Sequence, residues 1–192
     1  MSYNLKDVFY LGATHTYAAS TYGSGGIEGN IPIDISAYVD PIAKGRTRGQ
    51  GLAIYKVHCN VSGDNVGGPF ASADAGSAAI GLSVKPYATS GDNSGAIEVG
   101  DLSCDSDLLV WGAHAWAPAS LVPGQGGMGP KVFMEPSTEV PYVAVRDTIF
   151  QLLETEIGFS TNDDWYVSYR LECAMITLDT ATLNQLLRTQ TA

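Results

Sequence analysis

The sequence predicts an all-β protein, an antiparallel β-sandwich with an extended N-terminal arm and a short C-terminal helix. Three observations predict it. Apolar residues alternate with polar ones in several separate runs, the period of two that buries one face of a strand. Gly, Asn, Asp and Ser gather between those runs, where they supply turns. No helical pattern separates consecutive runs, so parallel strands have no crossover segments and one antiparallel sandwich or barrel is expected.

The elements follow in order. Residues 1–29 are rich in Gly, Ser and Tyr, keep no sustained period, and read as an arm that orders against neighbours. The sandwich is expected over residues 30–178. Ile31, Ile33, Ile35, Ala37 and Val39 alternate with Pro32, Asp34, Ser36, Tyr38 and Asp40, which predicts a strand. From Leu52 to Val61 the apolar face is expected to be Ala53, Tyr55, Val57, Cys59 and Val61, with Lys56, His58 and Asn60 opposite. Ile80, Leu82 and Val84 alternate with Gly81, Ser83 and Lys85. Asp107 to Trp116 is apolar on both faces, as in a strand covered on both sides. Residues 131–134 and 142–145 are short strand candidates. Residues 146–159 suit either a helix, through Ile149, Leu152 and Leu153, or a strand; the strongly β segment that follows favours a strand. That segment, Trp165 to Leu178, is the most regular of all. Residues 179–192 close the chain as a helix or tail, with Asp179 as N-cap and Leu183, Leu186 and Leu187 on one face.

Composition narrows the function. The formal charge of −10 repels nucleic-acid backbones at long range, so direct genome binding is not expected. Charged residues are 16%, against about 25% in typical domains. A charge-poor, Gly-rich surface suits contact with neighbouring subunits. No apolar run reaches the ~20 residues of a membrane span, and the start Met1–Asp7 lacks a signal-peptide pattern. Synthesis and retention in a cytoplasm, or release by lysis, is therefore expected. The three cysteines, Cys59, Cys104 and Cys173, are widely spaced and do not suggest a disulfide framework; Cys59 and Cys173, in expected strands, read as small core residues.

Catalytic signatures are absent. There is no nucleophile elbow, P-loop or dinucleotide fingerprint. Gly124–Gly129 carries glycines without the Lys-Ser/Thr that grips phosphate. No cofactor is expected, and neither is an enzyme. Asp105 and Asp107 share a face if extended and are weak calcium candidates, since calcium needs six to eight oxygens. Lys44, Arg46 and Arg48 fall on one side of an extended segment, suited to phosphate, lipid headgroups or an acidic neighbour. Tyr17, Tyr22, Trp116 and Met128, on the arm or at loop edges, are the candidate subunit contacts.

The layout of arm, Ile31–Val39, Gly51–Val61, mid-chain loops and a late strand from Trp165 to Leu178 resembles the single jelly-roll capsid proteins of icosahedral viruses. The resemblance covers about residues 30–192. It implies a jelly-roll sandwich that assembles with itself, and with other virion proteins, into a shell. It departs from capsid proteins with a basic arm, since Lys6 is the one basic residue in 1–29. That departure suits a shell whose genome is packed by other means, with an internal lipid membrane as one arrangement. Two other classes share the texture: a tail-tube, head-decoration or filament subunit, and a carbohydrate-binding sandwich module.

Overall fold

The computed structural model describes residues 8–17, 28–40, 48–62, 76–84, 109–117, 129–155 and 165–191. Nine strands are described: β1 (Phe9–Tyr17), β2 (Glu28–Asp34), β3 (Arg48–Ser62), β4 (Gly76–Ser83), β5 (Leu109–Ala117), β6 (Gly129–Met134), β7 (Tyr142–Ala144), β8 (Thr148–Thr155) and β9 (Trp165–Asp179). One helix, α1 (Thr180–Thr191), follows β9 directly.

The strands form two antiparallel sheets, in the orders β1-β9-β3-β7 and β2-β8-β4-β5-β6. The pairing is nested: β1 with β9, β2 with β8, β3 with β7, β4 with β5. A ribbon of paired strands folded over in this way is a jelly roll, and β6 extends the second sheet beyond β5. The inner faces meet in one core. Leu52, Ile54, Val57, Val167, Leu171 and Cys173 of the first sheet pack with Ile80, Leu82, Trp111, Ile149 and Leu153 of the second. Each large side chain buried there contributes roughly 1.5–3 kcal/mol.

The long regular strand expected from Trp165 is β9, the centre of the first sheet, hydrogen-bonded to both β1 and β3. The ambiguous segment 146–159 is a strand over Thr148–Thr155. Asp179 caps α1 as expected: its Oδ1 accepts the Thr182 N–H at 2.8 Å. That bond is the main reason its carboxyl is held below the ordinary carboxylate range.

Three expectations are corrected. Residues 1–29 are not an arm throughout. Phe9–Tyr17 is an edge strand whose nine residues pair in unbroken register with Cys173 back to Trp165, and Glu28 already begins β2. Residues 1–7 and 18–27 lie outside the described residues. The strand expected from Ile31 to Val39 ends at Asp34. The Asp34 Oδ1 accepts the Ser36 N–H at 2.8 Å, and the chain turns into a 3-10 helix over Ser36–Tyr38. Ile35 and Val39 still reach the core across that turn.

The third correction concerns β3. A bulge between Ile54 and Lys56 shifts its register against β9. One extra residue exchanges the faces on which alternate side chains fall. Leu52 and Ile54 therefore face the core before the bulge, and Val57 and Cys59 after it. Ala53 and Tyr55, expected on the same face as Val57, instead join Ala174 and Ile176 in a separate cluster on the outer face.

That outer cluster leads to the seat of α1. Leu183, Leu186 and Leu187 pack on Val143, Val145, Ile176 and Leu178. Gly51 lies beside them, and a Cβ there would sit 3.1 Å from the Ala144 carbonyl oxygen and 3.1 Å from Leu178 Cδ1. A side chain there would make the Ala144 backbone or the Leu178 side chain give way by a few tenths of an ångström, so the close approach favours glycine.

Candidate functional site

The described surface has two distinct regions: the outer face of the first sheet and the edges of both sheets. On the outer face, β9 alternation presents Ser168, Arg170 and Glu172 between β1 and β3. Thr14 Oγ1 lies 3.0 Å from Ser168 Oγ. The Arg170 guanidinium stands 4.2 Å from the centroid of the Tyr10 ring, a cation–π contact. His58 Nε2 lies 2.8 Å from Glu172 Oε1. The register sets Lys56 opposite Glu172 and His58 opposite Arg170. Such solvated cross-strand pairs contribute fractions of a kcal/mol each, so they define surface pattern more than stability.

At the β7 edge, α1 returns over the sheet. Gln190 Nε2 donates to the Val143 carbonyl at 2.6 Å, and Gln190 Oε1 accepts the Val145 N–H at 3.0 Å. The side-chain amide thus takes the place of a neighbouring strand. Arg146 Nη1 donates to the Gln190 carbonyl at 3.0 Å and fixes the end of the helix.

Between the edges of β1 and β2 a cleft of about 170 Å³ opens, lined by Leu11, Ala13, Ile33, Ile35, Tyr38 and Tyr169 among others. Phe9 stacks on Tyr38 at its end, with ring centroids 5.1 Å apart. Small-molecule sites run to roughly 300–1,000 Å³, so this cleft suits apolar side chains better than a sugar ring or cofactor. Its one acidic lining residue, Asp34, already holds the turn after β2.

Among the described residues, the polar groups buried inside the sandwich include those of Gln151 and His15. Gln151 of β8 is 0% exposed, and neither its Oε1 nor its Nε2 has a hydrogen-bond partner. His15 of β1 buries Nε2 without a partner, and burial lowers its pKa, which favours the neutral ring. The thiols of Cys59 and Cys173 fulfil the expected core role. Burial pushes both up to about 12, far from the thiolate range of reactive cysteines.

Of the residues singled out from sequence, the described ones, Tyr17, Arg48 and Trp116, are not gathered into one place. Tyr17 ends β1, opposite Trp165, while Arg48 begins β3, opposite Asp179 at the other end of β9. Arg48 is exposed, and its charge helps lower the Asp179 carboxyl, an acidic neighbour within the same chain. Trp116 lies on β5 of the other sheet, between Ser77 and Gly129. Tyr22, Met128, Lys44, Arg46, Asp105 and Asp107 lie outside the described residues. Among the described residues, no group of three or more His, Cys, Asp and Glu is placed to hold a metal ion. Nor is any described helix long and apolar enough to cross a membrane.

Sequence reasoning missed Gln190 and the β1 edge. Gln190 carried no signal, since a Gln in an amphipathic helix ordinarily faces water. For β1 the signal was present in the alternation of Phe9, Leu11 and Ala13 with Tyr10, Gly12 and Thr14.

Fold and surface together define a jelly-roll sandwich whose distinctive features lie on its outer face and edges. The chain matches no protein-family model and no curated protein.

Proposed function

We propose that this chain is a structural virion protein: a capsid subunit that assembles with itself, and with other virion proteins, into a closed shell. The observation that supports the reading is the nested strand order, β1-β9-β3-β7 against β2-β8-β4-β5-β6, the jelly roll of which viral shell walls are a principal use. Tail-tube or filament subunits share the β content but do not call for this order. The net charge of −10 makes the subunit a wall with little grip on the genome. Lateral contacts then come from uncharged surface, closed by symmetry. A lipid layer beneath the shell is one arrangement compatible with so acidic a wall.

Negative-stain microscopy of the purified chain tests the reading. Closed particles of uniform diameter are expected. Open tubes or stacked rings would replace it with the tube-subunit reading. Dispersed monomers that bind a glycan array would replace it with a carbohydrate-binding module.

A further inference from the structure

Among the described residues each sheet has two edge strands, and the four are built differently. An exposed edge presents unpaired N–H and C=O groups to any other strand, and proteins blunt such edges with charge, Pro, bulges or covering groups. β7 is only three residues long, and Gln190 takes up the backbone groups of Val143 and Val145. β2 contains Pro32, which has no N–H, and ends on the exposed Asp34. β6 contains Pro130 and Lys131. β1 has none of these. Its nine residues, Phe-Tyr-Leu-Gly-Ala-Thr-His-Thr-Tyr, include no Pro and no Asp, Glu, Lys or Arg. It pairs with β9 without a bulge, and among the described residues β9 is its only strand partner. Tyr10 is 54% exposed and Val8, just before the strand, is 43% exposed.

We propose that β1 is the strand-addition edge of this subunit, and that its occupant is β1 of a second copy, paired antiparallel across a two-fold axis. The proposal rests on the assembly reading and names one of its contacts. Three features select a second copy. An antiparallel strand pair about a two-fold is self-complementary, so one sequence satisfies both sides. Copies carrying −10 each repel one another, and β1 is an edge along which no fixed charge opposes its mate. The cleft between β1 and β2 is open on the same side, lined by Leu11, Ala13, Ile33 and Ile35. A strand added to β1 directs alternate side chains toward that cleft. In a second β1 the side chains on that face are Phe9, Leu11 and Ala13, each only half-buried in its own subunit, so their remaining apolar surface is what meets across the two-fold. Backbone pairing and apolar burial thus favour the same occupant. The result is a continuous sheet of eight strands, four from each copy.

Amide hydrogen exchange on the wild-type chain, at high dilution and at assembly concentration, tests this together with Thr14→Lys/Thr16→Lys. Both positions are exposed on the outer side of β1. The expected result is exchange in β1 slowed roughly tenfold or more on concentration. In the double variant that protection is lost, while circular dichroism and tryptophan fluorescence stay those of the wild type. Assembly with β1 exchanging at one rate at all concentrations overturns the edge and leaves the shell reading standing. Protection already complete at high dilution puts a segment of the same chain on β1 and also overturns it. A chain that stays monomeric throughout overturns both readings. The wild-type exchange pattern decides the matter even if the lysine variant fails to fold.

Discussion

Replacing Gln190 with Ala removes both hydrogen bonds that close the β7 edge. Gln190 is 3% exposed, and the Val145 N–H that it satisfies is buried, so water does not readily replace the lost acceptor. An orphaned buried backbone group costs about 1–3 kcal/mol. The Val143 carbonyl is only part-buried and recovers some hydration, so its loss falls at the low end. Side-chain entropy regained by the shorter residue offsets a fraction. The expected loss is about 2–3 kcal/mol, which corresponds to roughly 4–12 °C in Tm for a chain of this size. Gln190→Glu keeps an acceptor for Val145 but turns an oxygen toward the Val143 carbonyl, so it is expected to recover little. Gln185→Ala, on the exposed side of the same helix, serves as control and changes stability by less than ~0.5 kcal/mol. Urea denaturation followed by tryptophan fluorescence gives the values. If Gln190→Ala matches the Gln185→Ala control, the side-chain amide does not act as the missing strand and the reasoning fails.

Other consequences are as direct. Gln151→Met keeps the volume and removes an amide whose two polar atoms lack partners, so it is expected to stabilise the sandwich by about 1–3 kcal/mol; a destabilised variant in the same urea assay would show that a polar partner holds the amide. Cys59 and Cys173, with thiols pushed up to about 12, should resist iodoacetamide at pH 8 in the native chain and react once it is unfolded; rapid native labelling, located by peptide mass, would contradict their placement. The Asp179 carboxyl has a lowered pKa in the folded state, so its contribution is present above the unfolded value near 3.8 and is lost as pH falls through the folded one. Asp179→Asn should therefore show a smaller acid-induced loss of stability below about pH 4 than the wild type, and identical acid profiles would remove the cap from the account.

The fold was legible where alternation ran unbroken. In β9, Val167, Tyr169, Leu171 and Cys173 keep one face as expected, although Met175, which continues that alternation, is half exposed and Ala174 is buried in the outer cluster. The prediction failed where local hydrogen bonding or an inserted residue intervened. The Asp34–Ser36 bond ends β2 early, although Ile35 and Val39 continue the apolar rhythm. The bulge at Tyr55 reverses the faces of β3 without changing its composition. β1 was hidden because His15 interrupts the alternation that Phe9, Leu11 and Ala13 begin, and because strand pairing with β9, from Phe9 with Cys173 to Tyr17 with Trp165, lies far outside local sequence. The edges were the least legible part. Whether an edge is covered depends on where a distant side chain such as Gln190 arrives. The absence of charge across Phe9–Tyr17, by contrast, was open to view and acquires meaning only once that segment is known to be an edge.

The proposed assembly of this jelly roll with copies of itself is tested most directly by particle mass as a function of concentration, measured by light scattering on the purified chain. A cooperative transition from the 20.2 kDa chain to closed particles of one defined mass is expected. A mass that stays at one chain at every concentration, without change on dilution, would contradict it.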